Sequence, residues 1–193
     1  YVQSQFYKPL NLGLTYLPLS VYPSAQIAPT ENDLKFRKQL VRGYVHDQGA
    51  ALMGGVAGHA GLFGNANDVA VIMQMLLNKG YYAGQQVLDS SVIRQYTSSQ
   101  FSDNRRGLCF DKPEPDEKKD SPVTKECSLK SFGHSGFTGT FAWADPENGL
   151  IFVFLSNRVY PSADENKLAK LGIRGKIHRA LYEAVKPNAL LLN

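Results

Sequence analysis

The sequence predicts an α+β domain, and the prediction rests on periodicity in two stretches and a change of texture between them. Val69, Ile72, Met73, Leu76 and Leu77 recur at spacings of three and four, which is one buried helix face. Residues 131–156 are instead short runs rich in aromatics, Thr and Gly, broken by the turn sequence Asp145-Pro146-Glu147-Asn148-Gly149, a pattern of antiparallel strands. Ile173, Ile177, Leu181 and Val185 then repeat every four residues in a closing amphipathic helix.

Taken in order, Tyr1 to Tyr7 reads as the end of a helix that Pro9 stops, because proline has no amide to continue it. Pro18, Pro23 and Pro29 exclude a long helix between Asn11 and Gln39, which is expected to be irregular chain wrapping a neighbouring surface. Asp47 can cap a short helix over residues 48–53. Gly54, Gly55, Gly58, Gly61 and Gly64 follow, so the backbone there must turn tightly. Asn65 supplies the cap of the main helix, with Asp68 in its first turn and Gly80 at its far end. Asp89 caps a shorter helix over residues 90–97. Residues 111–126 hold six acids, four lysines and three prolines, which predicts a solvated, mobile loop. Strands are expected over 131–137, 140–144 and 150–156, the last apolar throughout and therefore covered on both faces. Ser162 and Glu165 form a capping-box signature before the closing helix, whose start Gly172 and Gly175 can break.

The 193 residues suffice for one domain or slightly more, and 43% hydrophobic with 20% charged residues excludes a disordered, collagenous or coiled-coil chain. The longest apolar run, Leu150 to Leu155, is far short of the roughly 20 residues that a membrane helix needs. A net charge of +4 without a basic cluster argues against nucleic acid as a partner. The chain opens at Tyr1 with neither an initiator Met nor a leader, and the expectation is that further polypeptide precedes it. Cys109 and Cys127 fit one disulfide or two thiols equally well.

Candidate chemistry is sparse. His178, in the closing helix, is expected at the surface or rim. His46, Asp47 and His59 match no standard metal spacing, so no metal or other cofactor is expected and a structural role is preferred for these histidines. Phe132-Gly133-His134-Ser135-Gly136-Phe137-Thr138-Gly139 differs, because glycines bracket a polar pair where a strand should run, which lets a backbone or a ligand approach closely. His134 and Ser135 then point to opposite faces or, with a twist, into one cleft.

Gly58 to Val69, Phe132 to Thr140, the Asp-Pro-Glu-Asn-Gly turn and Leu150 to Pro161 together resemble the C-terminal part of the serine β-lactamase and penicillin-binding-protein-like superfamily, nearest its class C and esterase branch. The resemblance implies a partial β-lactamase/transpeptidase-like fold. Residues 1–106 would belong to the helical lobe and its wrapping segments, and 107–193 to the last three sheet strands and the terminal helix. His134-Ser135-Gly136 resembles the family's Lys-Thr/Ser-Gly element. The resemblance gives His134 the place of the lysine, Ser135 a substrate-orienting hydroxyl, and the Phe137 backbone N–H the role of oxyanion donor. Gly136, Asn157 and Arg158 would contact the substrate. The family's Ser-x-x-Lys and its Tyr element are expected upstream of Tyr1.

The implied activity is the C-terminal half of a serine hydrolase acting through an acyl-enzyme on esters, amides or cell-wall peptides, inactive alone. The alternative is a non-catalytic peptidoglycan- or peptide-binding module, and zinc hydrolysis ranks far below both. The implied partner is the upstream part of the same polypeptide, a glycoside hydrolase domain included, and the implied location is the bacterial periplasm or envelope. In an exported chain Cys109 and Cys127 would join, worth about 3 kcal/mol. With the upstream strands absent, the apolar strand 150–156 would lose a neighbour, which predicts assembly with the other half or a swapped oligomer.

Overall fold

A computed structural model describes residues 1–185, so the last eight positions of the expected second part lie outside the described residues. A single π-helical turn, Gln3–Tyr7, opens the chain and ends two residues before Pro9. Then come β1 (Thr15–Tyr16), β2 (Pro29–Asp33), β3 (Gln39–Arg42), α1 (Gln48–Leu52), β4 (Leu62–Phe63) and α2 (Ala66–Leu77). They are followed by β5 (Tyr81–Tyr82), β6 (Gln85–Gln86), α3 (Ser90–Thr97), β7 (Phe132–Ser135), β8 (Phe141–Asp145), β9 (Leu150–Phe154), α4 (Lys167–Lys170) and α5 (Ile173–Val185).

The caps behave as their chemistry dictates. Asn65 Oδ1 accepts from the Asp68 amide at 3.0 Å, Asp47 Oδ1 from Ala50 at 2.7 Å, and Asp89 Oδ1 from Ser91 at 2.7 Å. The predicted Ser162–Glu165 box does not form. Ser162 Oγ turns to Asp164, and Asn166 caps α4 by accepting from Ala169 instead. Gly172, at φ +60°, then separates α4 from α5, while Gly175 lies inside α5.

β7, β8 and β9 form one antiparallel sheet with β8 in the middle. β9 is therefore an edge strand among the described residues, lacking one neighbour as the sequence leads one to expect. Its two faces are nonetheless covered, as its apolar run requires. On one side Met73, Val69, Leu76 and Leu77 of α2 pack with Phe132, Ala144, Ile151 and Val153. On the other, Tyr182 and Leu181 of α5 pack with Phe141, Trp143 and Phe152. Each large side chain buried this way contributes about 1.5–3 kcal/mol.

Two hairpins arise where the sequence reading expects irregular chain or assigns no strand. β2 pairs with β3 because Asp33 closes the turn, accepting from the amides of Lys35, Phe36 and Arg37 at 3.0, 2.8 and 2.9 Å. The Arg37 guanidinium beside Asp33 holds its carboxyl well below the usual range. β5 and β6 are joined by Ala83-Gly84, both left-handed, as a two-residue hairpin turn requires.

The charged loop is anchored at both ends. Asp111, Lys112, Val123 and Cys127 are buried, while residues 115–121 are exposed. Lys112 Nζ reaches the carbonyls of Thr97 at 2.9 Å and Ser131 at 3.1 Å, and burial pushes its pKa down. Its long apolar stem and its need for acceptors make the interior a workable place for a lysine whose acceptors are carbonyls.

His178 also departs from expectation. It is 2% exposed and packs its ring on Phe152 at 4.8 Å and on Phe141 at 5.6 Å. Burial pushes its pKa down to about 4. An every-four apolar repeat marks only one line of a helix, and His178 lies beside that line, facing the sheet. Cys109 and Cys127 are both free thiols. Cys127 points into the core, its Sγ 3.1 Å from the Tyr182 hydroxyl, while Cys109 is exposed. Burial raises the Cys127 thiol to about 11. No helix among the described residues is long and apolar enough to cross a membrane.

Candidate functional site

A cavity of about 990 Å³ opens where the β7–β8 turn meets the glycine-rich segment and β2. Leu14, Val45 and Leu62 give it an apolar wall, and Gly136, Phe137 and Asn157 line the side nearest the sheet. Its size falls in the range of pockets that enclose small ligands.

Register decides where the motif residues go. Gly133 stands opposite Trp143, His134 opposite Ala142 and Ser135 opposite Phe141. Alternation then sends His134 to the α2 face and Ser135 to the α5 face, so the strand does not twist both into one cleft. Neither lines the cavity, which the strand reaches only from Gly136 onward. Gly133 is required by contact, since a Cβ there would lie 2.2 Å from the Ala142 carbonyl oxygen and 2.4 Å from Trp143 Cε3.

The turn that follows is clamped from several directions. Gly136 N–H donates to Thr140 O at 2.8 Å, Gly139 N–H to Gly136 O at 3.0 Å, and Arg158 N–H to Thr138 O at 2.8 Å. Gly139 has φ +105°, a conformation side chains disfavour, with Ser156 and Leu168 packed over it. Arg158 Nε donates to Phe137 O at 2.7 Å while its guanidinium lies 4.1 Å from the Phe137 ring centroid. The His46 ring stacks on Phe137 at 5.4 Å. The Phe137 N–H has no acceptor among the described residues. Arg174 supports the same turn, donating from Nη1 to Thr140 O at 3.1 Å.

His46 and His59 each face a different carboxylate. His46 Nε2 is 3.5 Å from Glu31, and His59 Nε2 is 3.1 Å from Asp47. The hydrogen bonds from Ala50 and His59 lower the Asp47 pKa. Among the described residues no group of three His, Cys, Asp or Glu converges as metal ligands. Asn157 borders the cavity, but its amide is committed: Nδ2 donates to Pro29 O at 2.6 Å and Thr30 O at 2.9 Å, and Oδ1 accepts from Val159. It staples β2 to the end of β9.

Two contributors carry no local sequence signal. Arg37 joins Glu31, Asp33 and the carbonyls of Val45 and His46, so it sets the position of the His46 ring. Arg106 lies with Nη1 3.3 Å from His134 Nε2, across 28 residues of sequence. The pairing of Asp111 with Gly133 and the packing of the Phe110 ring on Phe132 bring that loop to β7.

Comparison with known proteins bears on the family and the fold. A family model described as Beta-lactamase matches residues 1–174. A protein of Escherichia coli (strain K12) named "Putative D-alanyl-D-alanine carboxypeptidase" is 34% identical over 94% of this chain, and one of the same name from Salmonella agona (strain SL483) is 33% identical. The chain spans about half the length of these curated relatives, covering 45% of each. In fold it is similar to a penicillin-binding protein homolog from Caulobacter crescentus, with TM-score 0.53 and 23% identity over 81% of this chain and 45% of that one. A β-lactamase structure from Mycobacterium bovis gives TM-score 0.50 and 21% identity over 65% of this chain and 46% of that one. The chain belongs to the β-lactamase family.

Proposed function

We propose that this chain forms one wall of the cleft of a serine hydrolase that works through an acyl-enzyme on esters, amides or cell-wall peptides. The observation that carries the reading is the Phe137 amide, a donor without an acceptor among the described residues, on a turn clamped from several directions and bordering the cavity. Preorganised N–H groups of this kind stabilise negative charge that appears only in the transition state. Ser135, Gly136 and Arg158 flank that donor, and His134 stands where the family carries a lysine.

The nucleophilic Ser, its Lys and the Tyr are assigned to polypeptide upstream of this chain, with which it forms the complete cleft. The names of its relatives favour peptides ending in D-alanyl-D-alanine as the substrate class and the bacterial envelope as the place of work. The test is reassembly. The chain is combined with a polypeptide carrying the Ser-x-x-Lys and Tyr elements, and release of D-alanine from such a peptide is followed beside hydrolysis of a chromogenic ester. Turnover by the assembly and none by the chain alone is the expected result, and turnover by the chain alone overturns the reading. The size of the cavity favours a second reading, a non-catalytic peptide-binding module. Saturable peptide binding with no turnover from the assembly would select it.

A further inference from the structure

The protonation form of His134 can be read from its two ring contacts. Nε2 lies 3.3 Å from Arg106 Nη1, and Nδ1 lies 2.8 Å from the Ser135 carbonyl oxygen. A guanidinium offers only donors, so Nε2 must present its lone pair. A carbonyl only accepts, so Nδ1 must carry the proton. One form satisfies both contacts, the neutral Nδ1–H tautomer. A doubly protonated ring would set N–H against N–H at Arg106.

The position of Arg106 is itself determined. Asp111 and Gly133 exchange backbone hydrogen bonds of 2.8 and 3.1 Å, which fixes the 105–111 loop along β7. The Asp111 carboxylate is taken by Arg105 at 2.7 and 3.2 Å, and Arg105 also lies 3.7 Å from Glu114. Arg106 Nε shares the same carboxylate at the longer distance of 3.6 Å, which leaves Nη1 directed at His134.

We propose that Arg106 is a positioning residue that holds His134 in the neutral Nδ1–H tautomer, and that the positive charge at this end of β7 resides on Arg106 and not on the imidazole. The inference rests on the hydrolase reading only for its consequence, that the strand position matching the family's lysine carries a neutral ring backed by a permanent cation. The tautomer itself is a property of this chain.

Two-bond proton–nitrogen correlation of the ¹⁵N-histidine-labelled 193-residue chain tests it, at about pH 8, above the ordinary imidazole range. His134 is assigned by the signals lost in His134→Gln. The expected spectrum shows a protonated Nδ1 and an unprotonated Nε2. In Arg106→Met those signals should shift toward the Nε2–H tautomer that unconstrained imidazoles favour, and Arg106→Lys, which restores a donor, should shift them back. Arg106 is half-exposed, so neither variant removes buried packing. A protonated Nε2 in the wild-type chain, or a spectrum unmoved by Arg106→Met, overturns the proposal. The Nδ1–H signature in an assembly that hydrolyses nothing would uphold it and remove the hydrolase reading, while turnover with Nε2–H would do the reverse.

Discussion

Arg158 holds Phe137 twice, through Nε to its carbonyl oxygen at 2.7 Å and through the guanidinium over its ring at 4.1 Å. The contacts act on one residue whose amide has no acceptor among the described residues, so they orient a donor without consuming it. Arg158→Met keeps the stem and removes both. In the reassembled enzyme it should lower kcat by about 10-fold or more with a smaller change in KM, because a misaimed oxyanion donor is felt in the transition state. An unchanged kcat would separate Arg158 from the chemistry.

Asp145 is the polar centre of the sheet. It accepts from the Ser128 amide and hydroxyl, the Glu147 and Asn148 amides, the Asn148 side chain and the Tyr182 hydroxyl. Burial alone would raise its pKa, but these donors prevail and hold it at about 2. Asp145→Ala removes the acceptor of six donors, the buried Tyr182 hydroxyl among them, and should cost about 3 kcal/mol in urea unfolding, with Tyr182→Phe costing about 1 kcal/mol.

Acid should weaken the fold in two separable windows. The folded pKa of His178 is about 4 against an ordinary 6.5, so the unfolded chain takes up a proton that the native one refuses as pH falls between those values. Stability is lost there, by up to about 3 kcal/mol. Asp145 acts lower, its contribution disappearing as pH falls from its ordinary 3.8 toward about 2. Melting curves across pH should show the first loss in the wild type and a flatter profile from 6.5 to 4 in His178→Phe. A wild-type profile that is already flat there would contradict a neutral buried ring.

The two thiols should differ sharply. Cys109 is exposed and Cys127 is buried against Tyr182 with its thiol raised to about 11. One equivalent of a thiol reagent should react in the native chain and a second only on unfolding. Finding no free thiol under denaturing conditions would show that the pair had joined.

Gly133→Ala tests the close approach of β7 to β8. The added methyl meets the Ala142 carbonyl oxygen and the Trp143 ring, both fixed by the sheet. A loss above about 2 kcal/mol is expected, with β7 displaced from its register. A neutral effect would mean that β7 can slide without cost.

Much of this architecture was legible locally. The caps at Asp47, Asn65 and Asp89, the three strands between Phe132 and Phe154 and the final helix follow from one side chain's hydrogen-bonding reach or from a repeat of two or four. So does the motif that places the chain in its family, since glycines crowd where backbones meet. What escaped the sequence depends on distant partners. Lys112 finding interior carbonyls, His178 facing aromatics and Arg106 meeting His134 across 28 residues are long-range events. Periodicity reports which side of an element is buried and carries no information about what lies opposite. The register of β7 on β8 and the pairing of Asp111 with Gly133 settle that, because a buried polar group is stable only where the rest of the fold happens to supply its partner.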